Sequence, residues 1–251
     1  MVRATACSFR PPVVAYEAFD PHPACMPYAL FLFDYDGTLC DTRQAIVYSF
    51  ERTFDEYQVP RPAAEVVHAM IGRGLVLNDM IRELYPALSA EEVAEWVVTY
   101  RGIYAREAEP LVTPFPGALA LFAQLAARGV LIGVLSNKGA AVLEASLAQL
   151  GLLPFVALVI GDGTMPEKQL AKKPDPMAFH EVVRPRFPEV PTDRILMVGD
   201  TPADLQFARN SRIDSCWVTF GFGEADQCRA LHPTHTVSHL LDIPALRRVG
   251  A

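Results

Sequence analysis

Residues Phe31–Leu39 read FLFDYDGTL, an apolar strand-like run that stops at two aspartates spaced by one and then at Gly-Thr. Side chains along a strand alternate between faces, so carboxylates at i and i+2 leave its end in the same direction. Gly37 lets the chain turn at once where a β-carbon would resist. Asp34 and Asp36 therefore point into one crevice. Like charges held so close need a cation beside them or a proton on one of them. That is the layout a magnesium-dependent phosphoryl-transfer site requires. An ordinary Asp-Gly turn after a buried strand has the same local spelling, so the decision rests on what the rest of the chain brings to this place.

Five short, nearly unbroken apolar runs read as strands covered on both faces: Tyr28–Phe33, Val130–Leu135, Phe155–Ile160, Arg194–Val198 and Ile213–Val218. Helical stretches alternate with them, over Gly117–Arg128 and over Ala140–Leu150 with Gly151 as its stop. Such alternation predicts parallel βαβ units. Between the first two strands the spacing is helical throughout, over Arg43–Tyr57, Ala63–Met70, Leu75–Leu84 and Ala90–Ala108. Ser89 and Glu92 spell a capping box for the last of these. The expected fold is α/β: a doubly wound parallel (Rossmann-like) sheet with an all-helical domain inserted after the DYDG turn. The expected boundaries are a core at 28–40 and 113–251 and a helical domain at 41–112, with Leu111–Gly117 as the return hinge. Residues 1–27 are proline-rich and read as a poorly ordered extension, with Met26 a candidate start. A final strand and helix are expected over His235–Arg248.

Composition narrows the partners. A net charge of −7 over 251 residues argues against a nucleic-acid partner, which demands clustered Lys and Arg. It leaves room for a small anionic substrate, because a bound divalent cation reverses the local sign. Five cysteines without a C-x-x-C pair fit free thiols in a reducing cytoplasm. No apolar run reaches the ~18 residues of a membrane span, and the N-terminus does not read as a secretory signal. Cys228, His232, His235 and His239 form a tempting metal set, but their spacing fits no zinc pattern.

In a doubly wound sheet, ligands bind beyond the carboxyl ends of the strands. The second strand is followed by Ser136-Asn137-Lys138-Gly139 leading into a helix, a hydroxyl, an amide and free N–H groups suited to phosphate. Ser136 could equally be a plain helix cap. After the third strand comes Lys172-Lys173-Pro174-Asp175-Pro176, whose prolines stiffen the chain around a cation. Spacing alone does not separate the two lysines. The fourth strand ends Gly199-Asp200-Thr201-Pro202-Ala203-Asp204, which supplies oxygen ligands for a hard cation.

These four ordered motifs, DYDGT, SN, KP and GDTPAD, resemble those of the haloacid dehalogenase (HAD) superfamily, in its phosphoglycolate phosphatase-like branch. The resemblance spans about residues 28–247. It implies an aspartyl-phosphate on Asp34, with Asp36 as general acid and then base. It implies Mg²⁺ on Asp34, the backbone carbonyl of Asp36, and Asp200, with Asp204 orienting a metal-bound water or the lysine. Ser136, Asn137 and Lys173 would hold the phosphoryl oxygens; Lys173 is chosen because the family lysine directly precedes the proline. The inserted helices would form the helical cap of this branch, and Arg73, between Gly72 and Gly74, would grip a substrate carboxylate such as that of 2-phosphoglycolate.

Asp36 favours a phosphate ester over a haloacid. The absence of lysine from Asp41 to Val112 counts against a Schiff-base phosphonatase. A sugar-phosphate mutase, a pyrophosphatase or a nucleotidase stays open, as does a HAD-fold binding or regulatory protein. The expected enzyme is a cytoplasmic phosphatase of a small phosphorylated metabolite, monomeric or homodimeric.

Overall fold

The computed structural model describes residues 26–165 and 167–247. Most of the expected N-terminal extension, with Cys7 and Cys25, lies outside the described residues, as does Arg248. Met26 itself is buried and joins the core.

Strand β1 (Leu30–Phe33) is followed by the two-residue β2 (Cys40–Asp41). Helices α1 (Arg43–Glu56), α2 (Ala64–Gly72), α3 (Leu77–Leu84) and α4 (Ala90–Ile103) come next. The expected helix to Ala108 gives way at Tyr104–Ala108 to a π-helical turn. Strand β3 (Thr113–Pro114) pairs antiparallel with β2. The chain continues through α5 (Ala118–Ala127), β4 (Leu131–Gly139), α6 (Ala140–Gln149) and β5 (Leu158–Asp162). A π-turn at Phe179–Val183 runs into α7 (Arg184–Arg186), then β6 (Ile195–Gly199), α8 (Pro202–Ser211) and β7 (Asp214–Val218). The described chain closes with α9 (Ala225–Ala230), β8 (His235–Val237) and a 3₁₀ segment Leu240–Ala245 where a final helix was expected.

Six strands form one parallel sheet in the order β5-β4-β1-β6-β7-β8. The order reverses at β1, which places the DYDG turn at the switch point where such sheets bind ligands. The pleat divides β1 between two cores. Phe31 and Phe33 pack with Leu121 and Phe122 of α5 and Leu143 of α6. Leu30 and Leu32 face Phe207 of α8, together with Phe179 and Val183. Each such buried side chain contributes roughly 1.5–3 kcal/mol, so β1 is anchored from both faces. The first core continues into the inserted helices, where Phe50, Phe54, Met80 and Trp96 are buried. Ser89 and Glu92 close the expected capping box, with Ser89 N donating to Glu92 Oε2 at 2.7 Å.

Candidate active site

Asp34 follows β1 directly, and its N–H still donates to Val198 O of β6 at 2.9 Å. The sheet ladder therefore holds its backbone. Lys173 Nζ donates to Asp34 Oδ1 at 2.5 Å, to Asp204 Oδ1 at 2.6 Å and to Leu135 O at 3.0 Å. All three ammonium donors are used. Lys172 turns the other way, to Asp162 and the carbonyl of Asn137. The lysine that reaches Asp34 is thus the one before Pro174. Asn137 clasps this lysine from both sides: its Oδ1 accepts from Lys173 N at 2.9 Å and its Nδ2 donates to Lys173 O at 3.3 Å.

Asp200 is wholly buried at the end of β6. Its Oδ1 accepts from Thr38 Oγ1 at 3.0 Å and its Oδ2 from Phe222 N at 2.7 Å. Gly37, at φ +84°, passes so close to this carboxylate that a β-carbon there would collide with it. Asp204 sits in the first turn of α8, where its Oδ2 accepts from Thr201 N at 3.0 Å and Thr201 Oγ1 at 2.7 Å. One oxygen each from Asp34, Asp200 and Asp204 lie within 4.8 Å of one another, and among the described residues this is the one such group suited to a metal ion.

Burial raises the Asp34 carboxyl well above the usual range; Lys173 pulls it back, and Asp204, Asp200 and Asp36 push it up again. Burial and the charge of Asp204 likewise push Asp200 up to about 7, against the hydrogen bonds from Phe222 and Thr38. For Lys173, burial alone would lower the pKa, but Asp204 and Asp34 outweigh it and hold the ammonium charged. Three buried carboxylates thus share one lysine, and a hard divalent cation fits the surplus negative charge.

Asp36 lies outside that triad. Its Oδ1 accepts from Lys138 Nζ at 3.2 Å, and the ammonium sits 3.8 Å from the ring centroid of Tyr104. Asp34, Asp36, Ser136, Asn137 and Lys173 all line one cavity of ≈ 180 Å³. Arg73 does not. Gly74 makes the expected turn at φ +71°, but the guanidinium forks onto Glu83 of α3 at 2.8 and 2.7 Å on the outer surface. The lining cations besides Lys173 are Lys138 and Arg101, and Arg101 pairs with Asp162. Sequence reasoning passed over both. Lys138 stood in a motif already singled out, whereas Arg101 in α4 carries no local signal.

Cys228, His232, His235 and His239 are not among the described residues whose ligand atoms come close enough to share an ion. His235 Nε2 instead meets the Tyr28 hydroxyl at 2.7 Å, and that hydroxyl donates to Asp214 at 2.7 Å. Among the described residues no helix is long and apolar enough to cross a membrane.

The profile of the family described as haloacid dehalogenase-like hydrolase matches residues 31–218. The chain belongs to that family. This HAD-like hydrolase is 29% identical over 199 residues to a phosphoglycolate phosphatase of Neisseria meningitidis, covering 76% of this chain and 80% of the relative. It is also 29% identical over 219 residues to tyrosine-protein kinase PtkA of Mycobacterium tuberculosis, covering 87% of this chain and 71% of that one. A hydrolase of the haloacid dehalogenase-like family from Streptococcus pneumoniae shares the fold with a TM-score of 0.74 at 24% identity, over 87% of this chain and 98% of that one.

Proposed function

We propose that this HAD-like hydrolase is a Mg²⁺-dependent phosphatase of a small phosphorylated metabolite, with 2-phosphoglycolate, named in several of its relatives, as the reference substrate. The observation that carries the reading is the buried Asp34–Lys173–Asp204 chain with Asp200 beside it.

Asp34 and Asp200 would hold the magnesium together with the carbonyl of Asp36, and the ion when bound neutralises charge on the phosphoryl oxygens and on the carboxylates around them. Asp34 is the nucleophile: a carboxylate oxygen bonds to phosphorus as the bond to the leaving oxygen breaks. Lys173 fixes one oxygen of Asp34 and directs the other toward substrate. Asp36 gives its proton to the leaving oxygen, then takes one from the water that releases phosphate from Asp34. Ser136 lines the phosphate side of the cavity, and Asn137 acts through Lys173, whose backbone it holds. The helices of residues 41–112 serve as a cap over the core of 28–40 and 113–251 and keep bulk water from the acyl phosphate. Glycolate's carboxylate would have to compete for Lys138 or Arg101, both already paired.

The test is phosphate release from a panel of esters with and without magnesium, followed by acid quench with labelled substrate. Label retained on the wild-type chain and absent from Asp34→Asn supports the reading. Magnesium-independent turnover, or label that survives in Asp34→Asn, refutes it.

A further inference from the structure

The cavity has a polar floor, which the phosphatase reading uses, and a roof that it leaves unexplained. The roof is lined by Phe50 of α1, Ile71 of α2 and Leu77 and Met80 of α3, and Val142 of α6 and Phe222 complete the apolar lining from the core side. The ≈ 180 Å³ of the cavity is shared by the phosphoryl group over the floor and the leaving alcohol against the roof, so the alcohol has less room than the ~150 Å³ in which an apolar cavity takes up benzene, and a small hydrocarbon fits it best. Every lining cation is committed: Lys173 to Asp34 and Asp204, Lys138 to Asp36, Arg101 to Asp162. An anionic leaving group finds no unpaired cation there, whereas an apolar one finds a wall that water solvates poorly.

We propose that the site takes phosphomonoesters whose leaving alcohol is apolar or aromatic, of about benzyl size at most, with the phosphoryl group at Asp34 and the hydrocarbon against the roof. The inference rests on the phosphatase reading and specifies its substrate class. The reaction is hydrolysis: the bond from phosphorus to the alcohol oxygen breaks, the phosphoryl group passes to Asp34 and then to water, and the alcohol leaves with a proton. Lys138, held between Asp36 and the Tyr104 ring, marks the border between floor and roof.

The experiment compares ethyl, butyl, benzyl and 2-phenylethyl phosphates, whose alcohols are of similar basicity, so that differences report binding rather than leaving-group chemistry. The corresponding phosphonates, titrated calorimetrically in the presence of magnesium, give affinity without turnover. A fully buried methylene is worth about fourfold in binding, so KM and phosphonate Kd are expected to fall about tenfold or more from ethyl to benzyl. Leu77→Asp puts a carboxylate into the roof at the first turn of α3, a position helices favour for acids. It is expected to collapse the benzyl-to-ethyl ratio toward one. Turnover of all esters with flat KM and Kd overturns the inference and leaves the phosphatase reading standing. Rising phosphonate affinity without turnover of any ester overturns the phosphatase reading and supports the apolar pocket. Flat affinity and no turnover overturn both.

Discussion

Replacing Asp200 by asparagine isolates the electrostatic strain in the acidic cluster. Without a divalent cation, burial and Asp204 raise this carboxyl from 3.8 to about 7. The folded chain then keeps a proton that the unfolded chain gives up above about pH 4. Over that interval the native state binds more protons, so stability is greatest below the unfolded pKa and falls as pH rises through the folded one. Three or so pKa units at about 1.4 kcal/mol each set an upper bound of about 4 kcal/mol. For a chain of this size that corresponds to roughly 8–16 °C in Tm. Asparagine keeps the shape: its Oδ1 can accept the Phe222 N–H, and its amide can donate to the Thr38 hydroxyl oxygen. In EDTA, calorimetry should show the wild-type Tm falling between about pH 4 and about pH 7, with a shallower fall in Asp200→Asn. Asp34, raised in the same direction, keeps some slope in the variant. Magnesium should raise the wild-type Tm more at the higher pH and leave the variant nearly unmoved. A wild-type Tm that is flat or rising in EDTA refutes the argument, as does a magnesium shift that survives the substitution.

Lys173→Met should cost about 3–5 kcal/mol near neutral pH, because it leaves buried carboxylates uncompensated, and should lower phosphate release more than about 100-fold; urea melts and a phosphate assay check the two. Asn137→Ala removes both clasps on the Lys173 backbone and should cost about 1–3 kcal/mol in the same melts. Asp36→Asn should slow alkyl esters by about 10²–10⁴-fold but p-nitrophenyl phosphate far less, since that phenolate leaves unprotonated. Equal losses would remove Asp36 as the proton donor. Arg73→Ala should leave KM unchanged for acidic and neutral esters alike, given its surface fork onto Glu83; a rise confined to the acidic ester returns the arginine to the substrate.

The parallel sheet and the approach of Lys173, Asp200 and Asp204 to Asp34 were legible because parallel strands end on one edge, and each strand end carried its own chemical signature, whereas the order of the strands left no mark in the sequence. What escaped lay in contacts between distant segments. Ser-Asn-Lys-Gly reads as the lead into a helix, yet β4 runs on to Gly139, which pairs with Asp162 of β5 across an irregularity in the ladder. The start of β5 slipped later because Leu153–Phe155, with Pro154 inside, forms a 3₁₀ turn. The pairing of Arg73 with Glu83, ten residues on in sequence but facing it in space, leaves no local signal. Lys138 gains its meaning only when Asp36, over a hundred residues away in the chain, arrives beside it. The two-residue strands β2 and β3 are too short to leave any periodicity.

That small ribbon bears on how the molecule can change. The chain departs toward its helices at Cys40–Asp41 and comes home at Thr113–Pro114, on adjoining rungs. Paired strands stand about 5 Å apart, so the two crossings leave and re-enter the sheet domain side by side, although the buried cluster under β1 runs on into the inserted helices. A two-stranded crossing of this kind confines the covalent link between sheet and inserted helices to one pair of rungs, so any change in how the helices sit over the strand ends must pass through Cys40–Asp41 and Thr113–Pro114.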